Sequence, residues 1–457
     1  LDHFTDPGAD WSCDPEIEVD KFMHSLDVKN QHVVVVGLGL TGRSCVRFLQ
    51  QQGAIVSVMD SNPNASIPAN TRGIVGRLDA EVLSRANMIV LSPGVNPNVN
   101  EIQQAKKCGV DVIGDVELFA RVNTIPVIAI TGSNGKSTVT SLVTDMLNSA
   151  GKNAVMGGNI GTPVLDLVDI EADFLVLELS SFQLETLSSL APVCATILNI
   201  SEDHLDRHLK LDAYVQAKSR IYLNAKHKIA NRDDKLTWPE VFDEEQSFGL
   251  STTQKGWQYD LNMDAILHRG ERFIEQHACG IKGLHNMLNI QAALACVEHL
   301  QLDTAALRDA IHAFKGLAHR FEFVGQPKNV TWINDSKATN VGATIAAIES
   351  LVDKKSGKLV LIAGGDGKNA DFSELQPLLL SAVDLLITLG KDGRQIAALK
   401  PGSVEVSDLK EAVKLAYSLA QSGDTVLLSP ACASIDMFDN YQQRGDTFKQ
   451  ALLEIAS

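Results

Sequence analysis

The sequence predicts an α/β protein of three units, each on a mostly parallel sheet: a Rossmann-like amino-terminal unit, a central unit of the phosphate-loop type and a Rossmann-like carboxyl-terminal unit. Three observations predict it. A valine run enters Gly37-Leu-Gly39-Leu-Thr-Gly42, a second apolar run enters Gly132-Ser-Asn-Gly135-Lys136-Ser137, and from about Leu317 short apolar runs alternate with helical patterns. The length of 457 residues agrees with about three domains. The expected divisions are an extension over 1–28, a first unit over 29–114, a central unit over 115–316 and a third over 317–457.

In the first unit, Val33 to Val36 reads as a buried strand. The glycine turn and an amphipathic helix through Phe48 follow, then a strand from Ala54 to Met59 that ends in Asp60. This is G-x-G-x-x-G in its strand–turn–helix setting with an acid downstream, and taken alone it suggests NAD. No dehydrogenase catalytic pair accompanies it. A further strand, Met88 to Leu91, ends in Ser92-Pro93-Gly94 at the edge where such sheets bind ligands. A nucleotide of some kind is expected here, and the glycines do not say which.

The central unit opens on Pro126–Thr131, an apolar strand running into the loop Gly132, Ser133, Asn134, Gly135, Lys136, Ser137 and Thr138. Backbone N–H groups of such a loop and of the following helix cradle phosphate oxygens, so a nucleoside triphosphate is expected. Val139, Leu142, Val143, Met146 and Leu147 give that helix its apolar face, and Gly151 stops it. The loop departs from G-x-x-x-x-G-K-[ST], whose first glycine would fall at Ile130; Gly132 sits two residues nearer the lysine. Strands are expected at Phe174–Leu179 and Val193–Ile200. Glu178 and His204 at their ends suit Mg²⁺ beside a triphosphate. Lys218 reads, from spacing alone, as a solvated helix lysine.

The third unit is expected to have strands at Asn329–Ile333, Leu359–Ala363, Asp384–Leu389 and Thr425–Leu428. Lys368 in Gly364-Gly-Asp-Gly-Lys lies on a strand-end loop suited to a carboxylate or phosphate, whereas Cys432 reads as a small buried residue rather than a nucleophile.

Composition narrows the partners. A formal charge of −16 argues against nucleic acid, and 45% hydrophobic with 21% charged residues is ordinary for a globular protein. Seven scattered cysteines without a Cys-x-x-Cys pair suit reduced thiols in a cytoplasmic protein. No apolar run is long enough for a bilayer span, and the acidic, polar segment to about Val28 does not read as a signal peptide. A monomer is the expected state.

Taken in order, the glycine turn, the phosphate loop, Gly158-Asn159-Ile-Gly161, Glu178-Leu-Ser-Ser-Phe-Gln183, Glu202-Asp-His204, Gly283-Leu-His-Asn286, His319-Arg320-Phe-Glu322, Asp335-Ser-Lys-Ala-Thr-Asn340 and Gly364–Lys368 resemble the Mur ligase family. These are ATP-dependent enzymes that add amino acids to a UDP-linked muramoyl precursor of peptidoglycan. The Asp335–Asn340 and Gly364–Lys368 forms resemble the D-glutamate-adding branch, implying UDP-N-acetylmuramoyl-L-alanine and D-glutamate as substrates. The resemblance replaces NAD by UDP in the first unit, bound through Leu40, Thr41, Asp60, Ser61 and Gly94. It implies a carbamylated Lys218 that, with Ser137, Glu178 and His204, holds two Mg²⁺ ions. Catalysis is assigned to Lys136, Lys218, His204 and Glu178. Asn286, Asn289, Arg320 and Asp335 join the phosphate loop around ATP, and Asn159, Gln183 and His204 stand near the muramoyl-alanine end. Lys337, Thr339, Lys368, Ser434, Ile435 and Tyr441 are implied for D-glutamate.

Overall fold

The computed structural model describes residues 26–352 and 357–456; most of the expected 1–28 extension, with Cys13, lies outside the described residues. The first sheet comprises β1 (His32–Val36), β2 (Ile55–Asp60), β3 (Arg72–Val75), β4 (Met88–Leu91) and β5 (Asp111–Gly114), in the order β3-β2-β1-β4-β5 with every pair parallel. Val33–Val36 are all buried, as an interior strand covered on both faces requires. The chain reverses its direction of winding beside β1, so the loops after β1 and β4 flank one crevice.

The central sheet comprises β6 (Val127–Thr131), β7 (Ala154–Gly158), β8 (Phe174–Glu178), β9 (Cys194–Ile197), β10 (His227–Asn231) and β11 (Ser247–Phe248) in the parallel order β11-β10-β9-β6-β8-β7. β9 is shorter than its apolar run, because Asn199 and Ile200 leave the sheet to hold the phosphate loop and its neighbours. The sequence expectation also missed a three-stranded antiparallel sheet, β12 (Trp257–Asp260), β13 (Ala265–His268) and β14 (Glu271–Glu275). Its strands are only four or five residues long and mix apolar with polar residues, which leaves no unbroken apolar run. Trp257, Tyr259, Ile266 and Ile274 join the core formed by the Lys136–Ser149 and Leu284–Val297 helices.

The last sheet contains β15 (Glu322–Gly325), β16 (Thr331–Asn334), β17 (Leu359–Gly364), β18 (Leu385–Leu389), β19 (Val404–Glu405) and β20 (Thr425–Leu428), ordered β15-β16-β20-β17-β18-β19. Only β15 runs antiparallel within it. β16 begins later than the sequence suggests, since Lys328 and Asn329 take left-handed φ values of 55° and 59° in the preceding turn. β20 lies between β16 and β17, which brings their three following loops together. The mostly parallel α/β architecture expected from sequence is therefore present.

Six described cysteines are free thiols, five of them buried. Among the described residues, no helix is long and apolar enough to cross a membrane.

Candidate active site

β6 lies between β8 and β9, so three loops meet at the carboxyl edge of the central sheet. The phosphate loop uses glycine where φ is positive, 155° at Gly132 and 82° at Gly135, and a Cβ on Gly135 would stand 2.4 Å from Asn289 Oδ1. The loop after β9 braces it: the Ser133 amide donates to Asn199 O at 2.9 Å and the Asn134 amide to Asn199 Oδ1 at 2.8 Å. Ser133 Oγ lies 3.0 Å from both Ser201 O and the Tyr214 hydroxyl. Lys136 Nζ donates to Gly132 O (2.9 Å) and Ser133 O (2.8 Å). Desolvation lowers its pKa, opposed by the Glu178 carboxylate.

Glu178 ends β8 opposite Ile130 of β6. Its carboxylate accepts from Ser137 Oγ and, at 2.8 Å, from Asn159 Nδ2, while Arg320 from the third unit donates to Ser137 Oγ. Burial disfavours the Glu178 charge, yet Lys136, Arg320 and these hydrogen bonds hold the carboxyl below its usual range.

The solvated reading of Lys218 is overturned. The helix Leu211–Ser219 runs behind the phosphate loop and leaves Lys218 2% exposed, with Nζ donating to Gly132 O (2.9 Å) and Thr131 Oγ1 (3.2 Å) and lying 4.6 Å from the centre of the Tyr214 ring. Burial first, then the nearby Lys136, drives its pKa well down.

His204 has a left-handed φ of 55° and sits edge-on to Phe182, ring centres 4.8 Å apart. Burial pushes its pKa down to about 4. Its neighbour Asp203 pairs with Lys368 of the third unit; burial opposes the Asp203 charge, but Lys368 and His204 outweigh it and hold the carboxyl at about 2. Asn340 ties the same junction, its Nδ2 donating to Asn134 Oδ1 (3.1 Å) and Asp203 Oδ2 (3.2 Å).

Two cavities open on this junction. One, of about 330 Å³, is lined by the phosphate loop, Asn286, Asn289, Arg320, Asp335 and Lys337. Burial raises Asp335 to about 7 although Ser429 and the Phe321 amide donate to it. The other, of about 540 Å³, is lined by Phe182, His204, Thr339, Lys368, Ser434, Tyr441 and the exposed Ile435. Lys337 thus lines the first cavity rather than the one holding its expected companions, although its ammonium lies 4.1 Å from the centre of the Tyr441 ring. Desolvation and the Arg320 and Lys136 charges lower it to about 7.

In the first unit, Leu40 and Thr41 begin the helix after β1, Asp60 ends β2, and Ser61 and Gly94 lie on the loops after β2 and β4. Leu40 is 68% exposed, and the Asp60 carboxylate accepts from the Leu38 amide at 2.6 Å and the Asn62 amide at 2.8 Å.

Residues 31–114, 130–297 and 319–432 match the Mur ligase MurD-like N-terminal domain, the Mur ligase middle domain and the Mur ligase glutamate ligase domain. The chain is 47% identical over 432 residues to the UDP-N-acetylmuramoylalanine--D-glutamate ligase of Shewanella oneidensis, spanning 92% of this chain and 98% of that protein. This chain belongs to the Mur ligase family. The ligase of the same name from Idiomarina loihiensis is 44% identical over 449 residues, 92% of this chain and 96% of its own. Two solved Mur ligases share the fold. MurC of Thermotoga maritima has a TM-score of 0.59 at 19% identity, over 93% of this chain and 99% of that one; MurF of the same organism, in complex with ADP, has 0.58 at 16%, over 95% and 97%.

Within this Mur ligase, sequence reasoning gave no role to Asp203, Tyr214 or Asn199. Asp203 was visible in its acidic run, but neither its partner Lys368, 165 residues away, nor the bracing by Asn199 has a local signature. Gln183, placed by resemblance near the muramoyl end, is buried and internally bonded: its Oε1 accepts from the Ser180 amide and hydroxyl, and its Nε2 donates to Asp115. Cys432 is fully buried, with its thiol pushed up to about 12, as a packing residue should be. The donors around Glu178, a carboxylate, the Ser137 hydroxyl and the Asn159 amide, are hard oxygen groups or their supports, and Mg²⁺ needs few protein ligands when phosphates supply the rest. The donor chemistry fits.

Proposed function

We propose that this Mur ligase joins D-glutamate to UDP-N-acetylmuramoyl-L-alanine at the expense of ATP, in peptidoglycan precursor synthesis. The observation that carries the reading is the contact of Arg320 with Ser137, which brings the third unit onto the phosphate loop of the second. An acyl group, a phosphate donor and an acceptor amine held by different units can then meet. In this reading 29–114 binds the UDP moiety through Leu40, Thr41, Asp60, Ser61 and Gly94. Residues 115–316 bind ATP with Asn286 and Asn289, and 317–457 hold D-glutamate through Thr339, Lys368, Ser434, Ile435 and Tyr441. The enzyme works as a cytoplasmic monomer.

The alanyl carboxylate attacks the γ-phosphorus, the bond to ADP breaks, and an acyl phosphate forms. The D-glutamate amine attacks its carbonyl carbon, phosphate departs with the bonding pair and the amine loses a proton to give the amide. Both partners of the first step are anions, so Lys136 and Arg320 lower its barrier by spreading charge. Mg²⁺, two ions held by Ser137, Glu178, His204 and a carbamylated Lys218, would supply further positive charge. The lowered pKa of the buried Lys218 amine supports the modification, since only the free amine adds to carbon dioxide, losing a proton to become a carboxylate. Water exclusion between the units protects the acyl phosphate.

Phosphate release tests the assignment. It should require ATP, UDP-N-acetylmuramoyl-L-alanine and D-glutamate together, with a product heavier by one glutamyl residue. Release instead with a folate and glutamate would move the chain to folylpolyglutamate synthesis, and no release with either set of substrates would leave a silent nucleotide binder.

A further inference from the structure

Arg444, on the Tyr441–Ala456 helix, is 1% exposed and ranks among the largest fully buried side chains. Its Nε donates to Ser336 Oγ at 3.0 Å, and its Nη2 to Ser336 O at 2.7 Å and Cys432 O at 3.0 Å. Ser336 Oγ in turn donates to Tyr441 O at 2.8 Å. Nη1 is buried without a hydrogen-bond partner among the described residues and faces the α-carbon of Gly365, where a Cβ would stand 3.3 Å from it. One guanidinium thus stands behind all three strand-end loops of the third sheet, 335–340, 364–368 and 430–434. These loops carry Thr339, Lys368 and Ser434 into the 540 Å³ cavity.

What the guanidinium lacks is an anion in direct contact, since Asp436 and Asp335 act on it only from a distance. Among the described residues it forms no ion pair, and the acids that influence it are engaged elsewhere: Asp436 accepts from the Lys391 amide and Asp335 from the Phe321 amide and Ser429. Burial lowers its pKa only to about 10, so it is charged at neutral pH. A buried cation whose hydrogen-bond partners are all neutral, with one donor idle, is stabilised when a counter-charge arrives. The cavity in front of the loops is the place for one.

We propose that Arg444 is a positioning residue for the acceptor amino acid, fixing the three loops and supplying the positive potential that selects a side-chain carboxylate over its uncharged amide. The proposal rests on the reading of this chain as a D-glutamate ligase and extends it to a residue outside the cavity wall.

The test compares wild type, Arg444→Met and Arg444→Lys with D-glutamate and D-glutamine as acceptors, with melting temperature recorded for each. In Arg444→Met, the kcat/KM preference for D-glutamate over D-glutamine should fall about tenfold, on the scale of one charge acting across a partly buried gap. The KM for ATP should change less than twofold. Arg444→Lys keeps the charge and should keep most of the preference even where the altered hydrogen bonds lower its melting temperature. Equal losses with both acceptors in Arg444→Met would make the residue a structural brace and overturn the proposal. If Arg444→Met does not fold, loss of the preference in a folded Arg444→Lys would do the same. A wild type that uses neither acceptor would overturn the D-glutamate reading itself.

Discussion

At the scale of the residue, burial decides what the ionisable groups can do. Among the described residues the Lys218 amine has no acidic hydrogen-bond partner, only a carbonyl and a hydroxyl, so burial disfavours its charged form. Lys218→Ala should lose more than ~100-fold in turnover, the scale of a lost charge-stabilising group, and acetate should restore part of it by standing in for the carbamate. Full activity without acetate would remove Lys218 from the chemistry. Asp115 is the opposite case, a buried carboxyl raised to about 6 by desolvation, with Oδ1 unpartnered among the described residues and Oδ2 accepting from Gln183 at 3.1 Å. Its folded pKa exceeds the unfolded value of 3.8, so the folded state holds the proton longer and loses stability as pH rises from about 4 to 6. Asp115→Asn should therefore stabilise the protein by about 2–3 kcal/mol at pH 8, and the gain should vanish near pH 4. Denaturant melts at the two pH values check this; a gain independent of pH would assign it to packing.

At the scale of the element, the glycine turns are where sequence was most readable. Gly42 opens the Leu40–Gln51 helix against β1, and a Cβ there would lie 1.8 Å from Gly37 O. No rotamer change relieves a clash with backbone. Gly42→Ala should cost about 1–3 kcal/mol and weaken UDP-N-acetylmuramoyl-L-alanine, seen by calorimetry on the full chain; tighter binding of NAD by the wild type would restore the dinucleotide reading. Strands such as β4 and β20 were legible to the residue because both faces are buried and the apolar run is unbroken. β12 to β14 were not, since they are short and mix polar with apolar residues. Spacing alone left Lys218 solvated, with only the family resemblance placing it in the site, and Arg444 escaped altogether: a cation on a helix reads as solvated, and only tertiary packing removes the solvent.

At the scale of the whole molecule, the second and third units meet through polar groups. Lys368 pairs with Asp203, Asn340 bridges Asn134 and Asp203, and Arg320 reaches Ser137. Because Asp203 and Lys368 are both largely buried, removing one charge leaves the other uncompensated, at about 3–5 kcal/mol. Asp203→Asn should loosen the junction, raising the radius of gyration by small-angle scattering and speeding amide exchange in 133–138 and 335–340. Scattering and exchange identical to wild type would mean that the pair does not hold the units together. None of these contacts was legible in sequence, for their partners lie 137 to 206 residues apart.

The direction of β15 has a consequence of its own. Parallel strands all begin at the edge far from the ligands, so a parallel first strand would have brought the chain into the third unit on the wrong side. β15 runs the other way, with Glu322 opposite Asn334 at the carboxyl end of β16. The connecting segment therefore arrives at the ligand edge, and its last residues, His319 to Phe321, are set down beside the phosphate loop. The tether between two units is thereby also a catalytic wall, and any swing of one unit about it must carry the Arg320 guanidinium towards or away from the nucleotide.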